Sequence, residues 1–228
     1  GPRQIIHVVG KEQMEYFKVV FKALEMVLPK SAGKESHVSY GWVTLESGKM
    51  SARKGKVVLG EWLLDEVEKK IAERTQGMSG KEKERVVRAV ALAAVKYAML
   101  HTGVKNDIFF DLEKSVSMSG SSGPYLLYIV ARIKSILQKS KAKSGRTAMP
   151  NSVGEVEWDL AAFLGKWPEI ARIAFEELDP SRIAQYLFDL AKAFNAFYET
   201  YPVLEAPAAE RFFRLRLIRA VELTMTRG

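Results

Sequence analysis

The residues best suited to chemistry lie in one short run, Gly48-Lys49-Met50-Ser51-Ala52-Arg53-Lys54-Gly55-Lys56. Lys49, Arg53, Lys54 and Lys56 crowd cations between and beside two glycines, and Ser51 adds a hydroxyl. Donors on a basic, glycine-bounded loop can close on the oxygens of a polyanion, so the run reads as a phosphate clamp. A solvated basic loop fits the same charges. The rest of the chain holds no GxxxxGK[ST] loop and no nucleophile motif. The chain has no cysteine, which excludes disulfides, thiolate metal sites and a cysteine nucleophile. His7, His37 and His101 show no ligand spacing, so no protein-bound metal is expected. Glu66 and Glu68 fall on a helix face turned to solvent, which argues against acid–base work there.

The basic run must be positioned by what flanks it. His37 to Leu45 alternates as a strand and leads into it, and an apolar step, Val57-Val58-Leu59, leads out. Upstream, Gln4 to Val9 reads as a short buried strand ended by Gly10. Lys11 to Leu28 reads as an amphipathic helix with Met14, Phe17, Phe21, Leu24 and Leu28 on one face, stopped by Pro29. Strand, helix and strand in that order predict part of an α/β sheet, with the basic run at a carboxyl strand end, where such sheets hold ligands. Glu61 to Arg74 is helical with Trp62 or Leu63, then Val67 and Ile71, inside. Thr75 to Gly80 is a break, and Lys81 to His101 is a long helix whose apolar second half predicts central burial.

Asn106 to Asp111 is short and extended, and the serine- and glycine-rich stretch Ser115 to Gly123 suggests a hinge or boundary. Beyond it the pattern is all helix. Pro124 opens a helix to about Lys139, Ser140 to Glu155 is a polar loop, and Trp158 to Leu178 is helical with a bend or restart at Pro168. Asp179-Pro180-Ser181 opens a helix with Ile183, Leu187, Leu190, Phe194 and Phe197 on one face, and Pro207 opens the last. Helices joined by short loops predict a bundle. No internal repeat is visible.

The 228 residues allow one or two domains, and the net charge of +8 suits a nucleic-acid partner without requiring one. The longest apolar run, Val86 to Leu100, is broken by Arg88 and Lys96 and is too short to span a bilayer. No signal peptide is visible, and the chain reads as cytoplasmic with no membrane partner. Gly1-Pro2 resembles the scar of proteolytic tag removal, which would place more chain upstream.

Lys49-Met50-Ser51-Ala52-Arg53-Lys54-Gly55 resembles the KMSKS signature of class I aminoacyl-tRNA synthetases, in the KMSTRKG form of arginyl-tRNA synthetases. Ala52 stands where the signature has its fourth residue, so the second cation falls to Arg53 or Lys54. The resemblance runs in order along the chain. His7-Val8-Val9-Gly10-Lys11-Glu12-Gln13 with Tyr16-Phe17 is similar to the family's VVG-x-x-Q-x-x-H-F segment, with Tyr16 in place of the histidine. His37 to Val43 resembles the strand into the signature loop; Ala94-Val95-Lys96-Tyr97 and Phe109-Phe110-Asp111 resemble the helix and turn after the catalytic domain. Gly123-Pro124-Tyr125-Leu126-Leu127-Tyr128, Ala131 to Ile136, Tyr186 to Ala191, Phe194 to Tyr198 and Pro202-Val203-Leu204 resemble the helical anticodon-binding domain.

The resemblance implies an α/β plus all-α fold, mostly helical: the second half of a class I nucleotide-binding, Rossmann-like catalytic domain over residues 3–115, then a helical-bundle anticodon-binding domain over 116–228. The HIGH signature and the amino-terminal half that carries it are absent, as is the anticodon domain's last turn, so the expectation is a carboxy-terminal segment of the enzyme. Lys49, Ser51, Arg53 and Lys54 would act on the phosphates of ATP, which arrives with Mg2+, while Gln13, Gly48, Met50 and Gly55 would line the ATP and arginine site. Tyr125, Tyr128, Arg132 and Tyr198 are the candidates to face tRNA-Arg, although tyrosines at helical spacing also suit a core. Lys139, Lys141, Lys143 and Arg146 could meet phosphates or remain solvated. The other reading is a non-catalytic tRNA-binding or partner-binding module of the same descent.

Overall fold

The computed structural model describes residues 3–45, 60–75, 77–140 and 149–228. Strand β1 (Ile5–Gly10) passes through a short 3₁₀ turn, Lys11–Gln13, into helix α1 (Met14–Val27). Strand β2 (Glu35–Tyr40) returns parallel to β1, pairing Ile5 with Glu35 through Gly10 with Tyr40. This β–α–β unit is the expected α/β element, with both carboxyl strand ends at one edge.

The long second strand predicted over His37 to Leu45 is two strands. β3 (Val43–Leu45) leaves the first sheet and pairs parallel with β4 (Ile108–Phe110). The break falls at Gly41-Trp42, where the turn that precedes β4 docks. A Cβ on Gly41 would lie 2.2 Å from the Asn106 carbonyl oxygen, so only glycine allows that approach. The sequence carries one faint mark of this switch: the alternation of Val38, Tyr40 and Trp42 slips by one residue to Val43 and Leu45.

β1 is also not buried. Ile6 and Val8 are 44% and 62% exposed, since only the face bearing His7 and Val9 is covered by α1. On α1, Phe17, Phe21 and Leu24 are half-buried, whereas Met14, and Leu28 just past its end, are exposed. Phe17 and Phe21 pack on the His7 ring at 5.2 and 5.1 Å, and Phe17 stacks on His37 at 4.9 Å.

Helix α2 (Gly60–Arg74) buries Leu63, Val67 and Ile71, so the inward residue is Leu63, with Trp62 exposed. Helix α3 (Gly80–Leu100) is central by position, packing on α2 and on the bundle. It is not buried all round: Val87, Ala91, Ala94 and Tyr97 form one stripe, while Leu92 and Leu100 are exposed. Its neighbours cover one side, and three- and four-residue spacing selects which apolar residues they reach.

After β4, the short helix α4 (Leu112–Ser115) is capped by Asp111, whose carboxylate accepts from the Lys114 N–H at 3.0 Å. The serine-rich stretch that follows is pinned, not loose. Val116 and Ser122 are buried, Ser122 Oγ donates to the Ser117 carbonyl, and the Tyr97 and Ser121 hydroxyls lie 2.8 Å apart. Ser122 then caps helix α5 (Gly123–Lys139) with Pro124 in its first turn. Gly123 lets α5 cross α3 closely, since a Cβ there would sit 2.1 Å from the Ala93 carbonyl oxygen.

Helices α6 (Glu155–Gly165) and α7 (Trp167–Glu177) restart at Pro168 as expected, although α6 begins before Trp158. Leu178, at φ 53°, closes α7 in the left-handed region. Helices α8 (Ser181–Thr200) and α9 (Ala208–Arg227) complete the bundle. Its core holds Ile129 and Ile133 of α5, Leu160 of α6, Leu190, Phe194 and Phe197 of α8, and Ile218 and Val221 of α9, all fully or nearly fully buried.

Candidate functional site

Three of the residues expected to face tRNA converge where α5 meets α8. The Arg132 guanidinium carbon sits 4.4 Å from the Tyr198 ring centroid, a cation on an aromatic face. Arg132 Nη1 donates to Asn195 Oδ1 at 3.3 Å, and Asn195 Nδ2 donates to the Tyr125 hydroxyl at 2.9 Å. Arginine can only donate, so the Asn195 amide must turn its oxygen to Arg132 and its NH2 to Tyr125. The Tyr125 hydroxyl therefore accepts from Asn195, leaving its own proton free to donate outward. Partial burial pushes the Tyr125 phenol above its ordinary range, and the Asn195 bond works against that rise. The phenol thus stays protonated at neutral pH.

Tyr125, Arg132 and Tyr198 are half-buried and Tyr128, one turn along α5, is 44% exposed. Beside them Lys192 Nζ lies 4.9 Å over the Phe188 ring, and Phe188 meets Tyr125 edge-on at 6.0 Å. The result is a face of oriented donors, cations seated on rings and aromatic rings, which suits stacked bases and phosphate oxygens. The sequence reading missed Asn195, which orders the cluster. A polar residue on a helix shows which face it occupies, not which partner crosses to it.

At the other end of the chain, Gln13 is exposed in the turn just beyond the carboxyl end of β1. In the same turn, Lys11 Nζ lies 2.6 Å from Asp107 Oδ1. Gly48, Lys49, Met50, Ser51, Arg53, Lys54 and Gly55 fall outside the described residues, as do Lys141, Lys143 and Arg146. β3 ends at Leu45, so the described chain leads to the start of that run from a carboxyl strand end.

His101 follows α3, its Nδ1 3.1 Å from the Tyr97 carbonyl oxygen and 3.0 Å from that of Ala98, a helix-end role. Glu66 pairs with Lys69 at 2.5 Å. No group of three or more metal-ligating side chains occurs among the described residues. No described helix is long and apolar enough to cross a membrane. A groove of about 670 Å³ runs between α3 and the serine turn, lined in part by Tyr97, His101, Lys114 and Ser121. Among the described residues, its lining includes none of the expected site residues.

A buried ion pair was also missed. Arg214 Nε donates to Glu157 Oε1 at 2.6 Å and Nη1 to the Pro202 carbonyl at 2.7 Å, while Glu157 Oε2 accepts the Gly154 N–H at 2.7 Å. It ties α6, α9 and the Pro202 loop together.

Comparison with known proteins matches both halves of this layout. Residues 2–112 match the model of the class I (R) tRNA synthetase catalytic domain, and residues 126–228 match the DALR anticodon binding domain. The arginine–tRNA ligase of Treponema denticola is 36% identical over 97% of this chain and 40% of its own length. That of Ignicoccus hospitalis is 35% identical over 99% of this chain and 36% of its own length. The chain belongs to the arginyl-tRNA synthetase family. Among solved structures, the Thermus thermophilus arginyl-tRNA synthetase superposes with a TM-score of 0.84 at 33% identity, over 98% of this chain and 39% of that one. The Plasmodium falciparum synthetase, at 20% identity and a TM-score of 0.81, shares the fold. The chain spans about 40% of the length of the relatives it matches. Its fold is that of a class I arginyl-tRNA synthetase: the latter part of the catalytic domain, then a helical anticodon-binding domain.

Proposed function

We propose that this chain serves ATP-dependent ligation of arginine to tRNA-Arg in the cytoplasm, supplying the KMSKS-type loop and the tRNA-reading bundle, with residues 3–115 on the catalytic side and 116–228 on the anticodon side. The observation that carries the reading is the succession of the two matched domains on one chain. The donor face formed by Tyr125, Asn195, Arg132 and Tyr198 lies in the second of them and supports it.

In the first step a carboxylate oxygen of arginine attacks the α-phosphorus of ATP, and the α–β phosphoanhydride bond breaks to release pyrophosphate. In the second, the arginyl group passes from AMP to a hydroxyl at the 3′ end of tRNA-Arg. Neither step needs a covalent enzyme intermediate, so catalysis rests on positioning and on stabilising charge at the departing pyrophosphate. Lys49 and one of Arg53 or Lys54 hold the β- and γ-phosphates, Ser51 and N–H groups near Gly48 and Gly55 add donors, and Met50 lies within the loop. Mg2+ comes as part of the ATP complex. Gln13 lies beside arginine and the adenylate. The remaining groups of the site belong to an amino-terminal half. Tyr125, Tyr128, Arg132 and Tyr198 take the anticodon region by stacking and hydrogen bonding.

Lys49→Ala, in a synthetase of the relatives' full length that carries this segment, is expected to cost about 3 kcal/mol in the transition state, roughly a hundredfold in rate. Single-turnover arginine activation measures this directly. An unchanged rate would remove Lys49 from the phosphate site.

A further inference from the structure

Asp107 does not belong to the basic run or the tyrosine–arginine face, yet it joins the strand ends that lead to the proposed active site. Its Oδ1 accepts both from Lys11 Nζ at 2.6 Å and from the Trp42 backbone N–H at 2.7 Å. Lys11 opens the turn that carries Gln13. Trp42 stands between β2 and β3, and β3 runs toward the signature loop. One carboxylate oxygen therefore fixes the exit of β1 against the crossing from the first sheet to the second.

The surrounding backbone sharpens the contact. The Gly41 N–H donates to the Val104 carbonyl at 3.2 Å, and the Ile108 N–H donates to the Trp42 carbonyl at 2.8 Å. The Gly103-to-Asp107 turn is closed on itself by Asn106 N–H to the Gly103 carbonyl at 2.8 Å. Its far side faces the start of α8, where a Cβ on Gly103 would come within 3.9 Å of an Asp179 carboxylate oxygen. The turn is thus wedged between the strand ends and the bundle. Lys11, and behind it the Trp42 N–H, hold the Asp107 carboxyl below the usual carboxylate range.

We infer that Asp107 is a positioning residue for arginine activation: through Lys11 and Trp42 it sets the distance between the Gln13 turn and the strand entering the signature loop. Neither Asp107 nor Lys11 need touch substrate for this. Both are about two-fifths exposed, so the pair adds little to global stability; its effect lies in geometry, where small displacements are costly in rate. The inference rests on the synthetase reading above.

The test uses a synthetase of the relatives' full length carrying this segment. Arginine-dependent ATP–pyrophosphate exchange and tRNA-Arg affinity are measured for Asp107→Ala, Asp107→Asn, Lys11→Ala and the Lys11→Ala/Asp107→Ala pair, with Lys49→Ala alongside. Asp107→Ala is expected to lower exchange kcat/KM for arginine on the order of tenfold, with tRNA affinity unchanged. Asp107→Asn, which keeps an oxygen for the Trp42 N–H, should lose less. The double variant should lose less than the product of the two single losses, because both remove one contact. Exchange unchanged in both Asp107 variants while Lys49→Ala collapses it would overturn the inference alone. So would equal losses of exchange and tRNA affinity, which mark general damage. Exchange unchanged in Lys49→Ala would overturn the phosphate-site reading and this inference with it.

Discussion

The two ends of this molecule treat apolar residues in opposite ways. In the bundle, α8 and α9 close over a core in which Ile133, Leu190, Phe194, Phe197 and Val221 have no measurable exposure. In the β1–α1–β2 unit, α1 buries no residue fully, and Ile6, Val8, Val19, Met26 and Val27 stand open to solvent. Both ends carry the periodicities of packed elements. The difference is what lies against them. A helix bundle supplies its own second layer, whereas parallel strands need cover on both faces, and β1 has it on one. Apolar pattern therefore fixes which face an element offers, and the rest of the fold decides whether that face is covered.

This contrast is open to direct attack. The largest effect is expected at the centre of the bundle, where Phe194→Ala should cost about 4 kcal/mol, read as a lowered midpoint in chemical denaturation. A loss below about 1 kcal/mol would mean that the bundle core is not the main source of stability. Glu157→Ala should follow at about 3 kcal/mol, because it leaves Arg214 charged and unpaired in the interior. Retention of full stability there would show that water replaces the carboxylate and that the pair is not truly enclosed. The smallest effect is expected at Val8→Ser, within about 0.5 kcal/mol, since the side chain is already solvated. A large loss at Val8 would show that the exposed face is covered in solution.

pH reads the same contrast at the junction of the two halves. The folded-state pKa of Asp107 is depressed, so its contact with Lys11 and Trp42 is fully present above the ordinary carboxylate range and is lost as pH falls through the lowered value. The Trp42 amide resonance should follow that loss in acid, and Asp107→Asn should abolish the titration.

Much of this architecture was legible in the sequence because its boundaries are chemical. Pro124 behind Ser122, Pro168, Asp179-Pro180 and Pro207 all mark helix starts that the structure keeps. The split of the second strand left only a one-residue phase slip at Trp42-Val43, because its cause is the Asn106 backbone, more than sixty residues away, pressing on Gly41. The same holds for the site. Tyr125, Arg132 and Tyr198 could be picked out by type and helical spacing, but Asn195 and the Glu157–Arg214 pair depend on contacts between helices far apart in the chain. Asp107 looked like an ordinary polar residue of a short extended segment. Its meaning lies in Lys11 and Trp42, which the fold brings to it.

The most direct test of the central claim is arginylation of tRNA-Arg by this chain, alone and mixed with a separately made amino-terminal half of an arginyl-tRNA synthetase. Charging is expected from the mixture and none from the chain alone. Charging by the chain alone would contradict the division of the site between the two halves. No charging from a mixture whose parts fold and associate would contradict the ligase assignment and favour the reading of the chain as a binding module.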